Sequence, residues 1–180
     1  MFSNWGFASA TDYFYTAPMD FIIRDVGSQD IDEILSLNES VVPAVNSIPI
    51  EKMQWFAEHA AYFRVATADD RLAAFLIGLR PGTAYESLNY RWFCNHYADF
   101  GYIDRIAVAS HARRHGLATQ LYDNFQATLR GVVGILTCEV NLQPPNEGSM
   151  RFHERYGFAQ VASQSTEGGE KEVALLVKTL

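Results

Sequence analysis

Cysteine is scarce in this chain. Its 180 residues include two, Cys94 and Cys138, too few for a disulfide scaffold of this size. Neither stands in a CxxC or Cys/His spacing that would make a zinc site. No metal is expected, and both are read as reduced thiols of a cytoplasmic protein. Positive charge is scarce too: Lys and Arg total 14 against 21 Asp and Glu, a net charge of −7. A broad nucleic-acid face needs a basic surplus, so no nucleic-acid partner is expected. Any anion site must be local and geometric. No segment reaches the roughly 18–20 apolar residues of a membrane helix, so no membrane association is expected. Met1 to Pro18 lacks a basic patch before an apolar run and does not read as a signal peptide. Internal repeats and low-complexity runs are also missing.

What is present is the composition of a folded domain. Apolar residues make up 48% and charged residues 19%, which excludes a disordered or coiled-coil chain. The expected organisation is one domain over residues 19–180, preceded by an aromatic arm (1–18) that docks on the domain or on a neighbour. Phe21 to Arg24 reads as a strand. Ser28 caps a helix carrying Ile31, Ile34 and Leu35. A second helix shows Met53, Phe56, Ala57 and Ala60 on one face. Tyr62 to Thr67 and Leu72 to Leu79 form a hairpin around Asp69-Asp70-Arg71. Residues 83–100 form a long aromatic excursion, the kind that is functional or carries a short helix. Tyr102 to Val108 reads as a strand with Tyr102, Asp104, Ile106 and Val108 on one face. Leu117, Leu121, Phe125 and Leu129 recur at every fourth position, the pattern of an amphipathic helix. Ile135 to Val140 is a buried strand, and a helix opens at Pro144-Pro145-Asn146 and ends at Gly157. Phe158 to Ala162 and Val173 to Val177 complete the sheet. The result is a mixed α/β (α+β) fold.

The most informative stretch is Arg113-Arg114-His115-Gly116-Leu117-Ala118-Thr119, between a strand and a long helix. The first amides of a helix have no intrahelical acceptor, and the helix dipole places positive charge there. Gly116 and Ala118 are small enough for a ligand to approach the backbone, and Arg113 and Arg114 add charge. These features describe a pyrophosphate cradle, or a basic helix cap whose glycine serves only the turn. The stretch is neither GxxxxGK[ST] nor GxGxxG.

Tyr102-Ile103-Asp104-Arg105-Ile106-Ala107-Val108 followed by Arg113-x-x-Gly116-x-Ala118 resembles the GNAT N-acetyltransferase superfamily, whose signature [RQ]-x-x-G-x-[GA] follows a strand. Asn146-x-x-Ser149-x-x-Phe152-His153-x-x-x-Gly157-Phe158 resembles its second motif. The segments Asn89 to Phe93 and Cys138 to Asn141 resemble a bacterial, mostly uncharacterised subgroup. The resemblance covers residues 20–180. It implies a mostly antiparallel sheet of six to seven strands, splayed into a V between strands 4 and 5 and flanked by about four helices. Acetyl-CoA is the implied co-substrate, with its pyrophosphate on the amides from Arg114 to Thr119 and its pantetheine along Ile106, Ala107 and Val108. Asn146 matches the position that commonly holds the pantetheine, and Ser149 and Phe152 lie in the same motif.

The implied activity is acyl-CoA-dependent N-acyltransfer by direct attack of an amine on the thioester. Asp104 or Glu139 is then the base, acting directly or through water. The amide of Ile106 or Ala107 is the oxyanion donor. The leaving thiolate is served by His153, which departs from the family's common Tyr at that position, or by Tyr156 one turn on. His96 is read as a lid residue and His115 as a turn residue. Tyr85, Tyr90 and Trp92 are expected to shape a pocket for a small-molecule amine. Two other readings are a non-catalytic acyl-CoA-binding module and a protein N-terminal or lysine acetyltransferase. Dimers are common in the family, and the aromatic arm is a candidate for such a contact.

Overall fold

Alternation of short apolar strands with amphipathic helices folds into one sheet covered on both faces. The computed structural model describes residues 20–180, so the expected arm at 1–18 lies outside the described residues. The strands are β1 (Ile22–Asp25), β2 (Tyr62–Ala68), β3 (Arg71–Leu79), β4 (Gly101–Val108), β5 (Ile135–Gln143), β6 (Ala159–Thr166) and β7 (Lys171–Thr179). The helices are α1 (Ile31–Glu39), α2 (Ile50–His59), α3 (Leu88–His96), α4 (Leu117–Leu129) and α5 (Glu147–Tyr156). Strand order is β1-β2-β3-β4-β5-β7-β6. Neighbours are antiparallel except β4 and β5, which run parallel.

Among the described residues, five helices form where about four were expected. The additional one, α3, lies inside the aromatic excursion. Ser87 starts it by accepting a 3.3 Å hydrogen bond from the Tyr90 amide, and Tyr90 and Phe93 give it a buried face. The β2–β3 turn places Asp69 and Asp70 at φ 49° and 58°, the left-handed geometry that matches hairpin twist and that Asp tolerates.

Two apolar layers sandwich the sheet. Helices α1, α2 and α3 bury Ile34, Met53, Phe56 and Phe93 against one face. On the other, α4 buries Leu117, Leu121, Phe125 and Leu129, with Phe152 and Tyr156 of α5 packed beside them. Gly78 makes room for α4, since a Cβ there would stand 2.5 Å from the Phe125 ring.

The expected face of β4 is corrected by a bulge. Pairing with β3 runs Leu76 to Ile106 and Ile77 to Arg105, then jumps to Gly78 opposite Ile103. Asp104 is left without a partner, so side-chain alternation changes phase there. Tyr102 and Ala107 therefore face the first layer, whereas Ile103, Ile106 and Val108 face the second. A strict period of two cannot register an inserted residue.

Candidate active site

The cleft begins where β4 and β5 stop pairing. Their register covers Gly101 with Leu136, Tyr102 with Thr137 and Ile103 with Cys138, and no more. Beyond Ile103 one edge of β4 has no strand partner among the described residues. A cavity of about 370 Å³ occupies the divergence, with Ile106, Glu139, Asn146, His153, Tyr122 and Tyr85 in its walls.

The start of α4 is a second open feature. The Gln120 amide donates to the Gly116 carbonyl at 3.1 Å, so the amides of Leu117, Ala118 and Thr119 precede the first internal bond. Among the described residues, the amides of 114–116 have no backbone acceptor either. Arg114 and Gly116 adopt φ 69° and 73°. Two left-handed residues turn successive amides in one direction, a concavity suited to an anion. Among the described residues, a Cβ on Gly116 would have nothing within 4 Å, so none of them fills the space above the turn. Arg113 Nε donates to the Val108 carbonyl at 3.2 Å, which ties the turn to β4. The His115 ring meets Phe21 edge-on.

Asn146 caps α5. Its Oδ1 accepts from the Ser149 amide at 3.1 Å, which leaves the side-chain amide hydrogens as its remaining donors.

Glu139 lies deep in the cleft, on β5. The Tyr102 hydroxyl donates to its Oε2 at 2.7 Å. Burial, reinforced by the nearby charge of Asp104, pushes its carboxyl up to about 7 against hydrogen bonds from Tyr102 and Asn89. A carboxyl that changes charge near neutrality is suited to taking a proton.

Asp104 also lines the cleft and is held in an ion pair. Its Oδ2 accepts from Arg105 Nε at 2.7 Å, with side chains 3% and 7% exposed. Arg105 Nη1 then donates to Asn38 Oδ1 at 3.1 Å and to the Asn46 carbonyl at 3.3 Å. The bulge thus pins the α1–α2 loop, which Asn141 also holds through the Pro43 carbonyl. Removing the cation would strand a buried carboxylate. Arg105→Leu is expected to destabilise the fold by about 3–5 kcal/mol. Adding Asp104→Asn should restore part of that loss, as thermal unfolding of the single and double variants would show.

Residues 30–158 match the family model described as acetyltransferase (GNAT) family. The chain belongs to the GNAT acetyltransferase family. No curated protein sequence matches it. Among solved structures it is similar to the ribosomal-protein-S18-alanine N-acetyltransferase of Escherichia coli, at 16% identity and a TM-score of 0.67, over 89% of this chain and 94% of that one. Arabidopsis thaliana NAA60 in complex with a bisubstrate analogue gives 16% identity and a TM-score of 0.72, over 89% and 98%. The NatC complex bound to Gag peptide and CoA gives 15% and 0.68, over 90% and 99%. The sheet order and the parallel β4–β5 pair are the GNAT fold expected above.

Other residues of the GNAT motifs are placed as follows. His153 is buried, 4% exposed, with both ring nitrogens engaged. Nδ1 lies 2.8 Å from the Ser149 carbonyl, which can only accept, so Nδ1 carries the hydrogen. Nε2 is then the acceptor for the Tyr122 hydroxyl at 2.8 Å. Burial lowers the His153 pKa, opposed by the Ser149 carbonyl. Burial therefore favours the neutral ring over the imidazolium. Tyr156 is not brought to the cleft. Its hydroxyl donates to Asp123 at 2.6 Å on the outer side of α4, and Lys178 Nζ sits 3.7 Å above its ring. Phe152 packs edge-on against Tyr122.

Of the three aromatics expected at the acceptor pocket, Tyr85 lines the cleft and the others do not. The Tyr90 hydroxyl donates to the Arg80 carbonyl at 2.7 Å, bracing the strand end. Trp92 stacks on His96 with ring centroids 3.8 Å apart, so His96 packs on its own helix. Aromatic clustering in the sequence marked this segment, but on a helix alternate residues point in different directions. Tyr122, Asn89 and Arg105 were missed. Each carries a polar group that only contacts distant in sequence make meaningful. Among the described residues no group of three His, Cys, Asp or Glu is placed to hold a metal, and no helix is long and apolar enough to cross a membrane.

Proposed function

We propose that this GNAT protein transfers an acetyl group from acetyl-CoA to a primary amine of a small molecule. The observation that carries the reading is Glu139, a carboxyl brought close to neutrality inside the β4–β5 divergence. Acetyl-CoA supplies an activated thioester. Residues of this chain supply its seat: amides at 114–119 for the diphosphate, the free edge of β4 at Ile106 to Val108 for the pantetheine, and the Asn146 amide group beside it. Glu139 takes the proton of the attacking ammonium or amine, directly or through water. The Tyr102 hydroxyl orients its carboxylate.

A small acceptor is favoured by how the far end of the cleft is held. Asn46 of the α1–α2 loop accepts a hydrogen bond from Lys171 Nζ at the start of β7. Asn46, Lys171 and Tyr85 all line the cavity. A loop tied to the hairpin from one side to the other restricts passage of an extended peptide.

The test is thiol release from acetyl-CoA with a panel of small primary amines and, separately, of peptides with free N-termini. Turnover with the amines alone supports the proposal. Turnover with peptides alone would make the protein a peptide acetyltransferase. CoA binding without thiol release above hydrolysis would make it a binding module.

A further inference from the structure

The Tyr122–His153 pair is a buried polar unit in the cleft wall that the steps above leave unused. Tyr122 belongs to α4, 1% exposed, enclosed by Phe152, Tyr156 and Phe158. A buried phenol needs one hydrogen-bond partner, and a carbonyl anywhere along the neighbouring backbone would serve. Instead its hydroxyl lies on the lone pair of a neutral imidazole, 2.8 Å away. That imidazole is fixed from behind by the Ser149 carbonyl, within the same turn of α5 that Asn146 caps. The chain therefore holds one hydroxyl hydrogen at a defined place in the cleft lining, shared with Glu139, Asn146 and His153.

Resting on the proposed acetyl transfer, we infer that Tyr122 is the hydrogen-bond donor to the departing sulfur of CoA and that His153 is the positioning residue that aims it. His153 cannot do this itself: its Nδ1 hydrogen is committed to the Ser149 carbonyl and its Nε2 has none. The amine nitrogen forms its bond to the acetyl carbon, and its proton passes to Glu139. The carbon–sulfur bond breaks with the electron pair going to sulfur. The Tyr122 hydrogen turns from Nε2 to the thiolate, because a bond to an anion is about twice as strong as one to a neutral acceptor. Glu139 then returns its proton to water, and the thiolate takes one from water to leave as the thiol. Tyr122 is unchanged at the end, so no phenolate forms in its apolar surroundings.

The inference is tested on bound CoA alone, which separates it from the identity of the acceptor. The protein is saturated with CoA, and ionisation of the thiol is followed by the ultraviolet absorbance of the thiolate, with desulfo-CoA as the blank. In the wild type the bound thiol should ionise more readily than in Tyr122→Phe, by roughly 10- to 100-fold in its ionisation constant, the worth of one hydrogen bond to a charged group. His153→Phe leaves the hydroxyl but removes its support, and should show part of the same loss. Equal thiol ionisation in the wild type and in folded Tyr122→Phe, judged by unchanged CoA affinity and thermal unfolding, would overturn the assignment to Tyr122. It would leave the acetyl-transfer reading standing. If Tyr122→Phe did not fold, equal ionisation in the wild type and His153→Phe would overturn it in the same way. Failure of the wild type to bind CoA at all would overturn both.

Discussion

Glu139→Gln should lose activity and gain stability in the same buffer. Without the carboxylate the acceptor's proton has no near destination, and removing a general base costs on the order of 10²–10⁴ in rate. In the wild type, kcat/KM should climb through a point near the value of about 7 that burial and Asp104 impose on Glu139. In the Gln variant that inflection should vanish. The stability effect has the opposite sign. The folded value lies above the ordinary carboxyl value of 4.5, so the folded protein holds this proton more tightly than the unfolded chain. The associated stability is full below about pH 4.5 and is lost as pH rises to about 7. At pH 8 the ionised side chain therefore burdens the fold, and the neutral Gln does not. The variant should unfold later than the wild type at pH 8, by an amount on the order of 2–3 kcal/mol, and should show little difference at pH 4. A rate loss with no change in the pH profile would move the base to another group. Equal unfolding of the two proteins at pH 8 would contradict the burial of the charge.

Gly116→Trp should abolish CoA binding and leave most of the stability intact. Among the described residues, nothing lies within 4 Å of a Cβ placed on Gly116, so an indole there meets no core side chain of theirs. The cost to the fold is confined to the backbone. At φ 73° an L-residue is disfavoured by roughly 1–2 kcal/mol. The same indole would occupy the room in front of the amides at 114–119, where a diphosphate would have to sit. Calorimetric titration with CoA should show affinity falling by at least about 100-fold, the scale of losing two charge-assisted hydrogen bonds. Inorganic pyrophosphate should compete with CoA on the wild type. Retained CoA affinity in the variant would remove the diphosphate from this turn, even if the β4–β5 cleft still takes the pantetheine.

Part of this was written in local sequence. The fourfold spacing of Leu117, Leu121, Phe125 and Leu129 is enough to fix a helix, because a single apolar stripe admits one period. The glycine before it marks a left-handed start, because Gly is the residue that enters that conformation freely. The hairpin at Asp69 and Asp70 and the strands around it follow from alternation and turn chemistry. The [RQ]-x-x-G-x-[GA] and Asn146-to-Phe158 motifs point to the GNAT family for the same reason: they are local devices at the ends of elements.

Other features depended on which elements meet. The bulge at Asp104 is invisible to a two-residue period, and it sends Arg105 toward Asn38 and the α1–α2 loop instead of outward. The elevated pKa of Glu139 exists because the fold buries its carboxyl between β4 and β5 and brings the charge of Asp104 near it, which outweighs the hydrogen bonds from Tyr102 and Asn89. His153 reads in the sequence as a titratable helix residue. The fold makes it a neutral acceptor, because burial lowers its pKa, the Ser149 carbonyl holds the Nδ1 hydrogen, and Tyr122, 31 positions earlier, closes on Nε2 from another helix. Periodicity and short motifs determine where elements begin and which face is apolar. Desolvation and long-range pairing determine what the polar groups inside the cleft can do, and those are properties of distance in space that no spacing along the chain encodes.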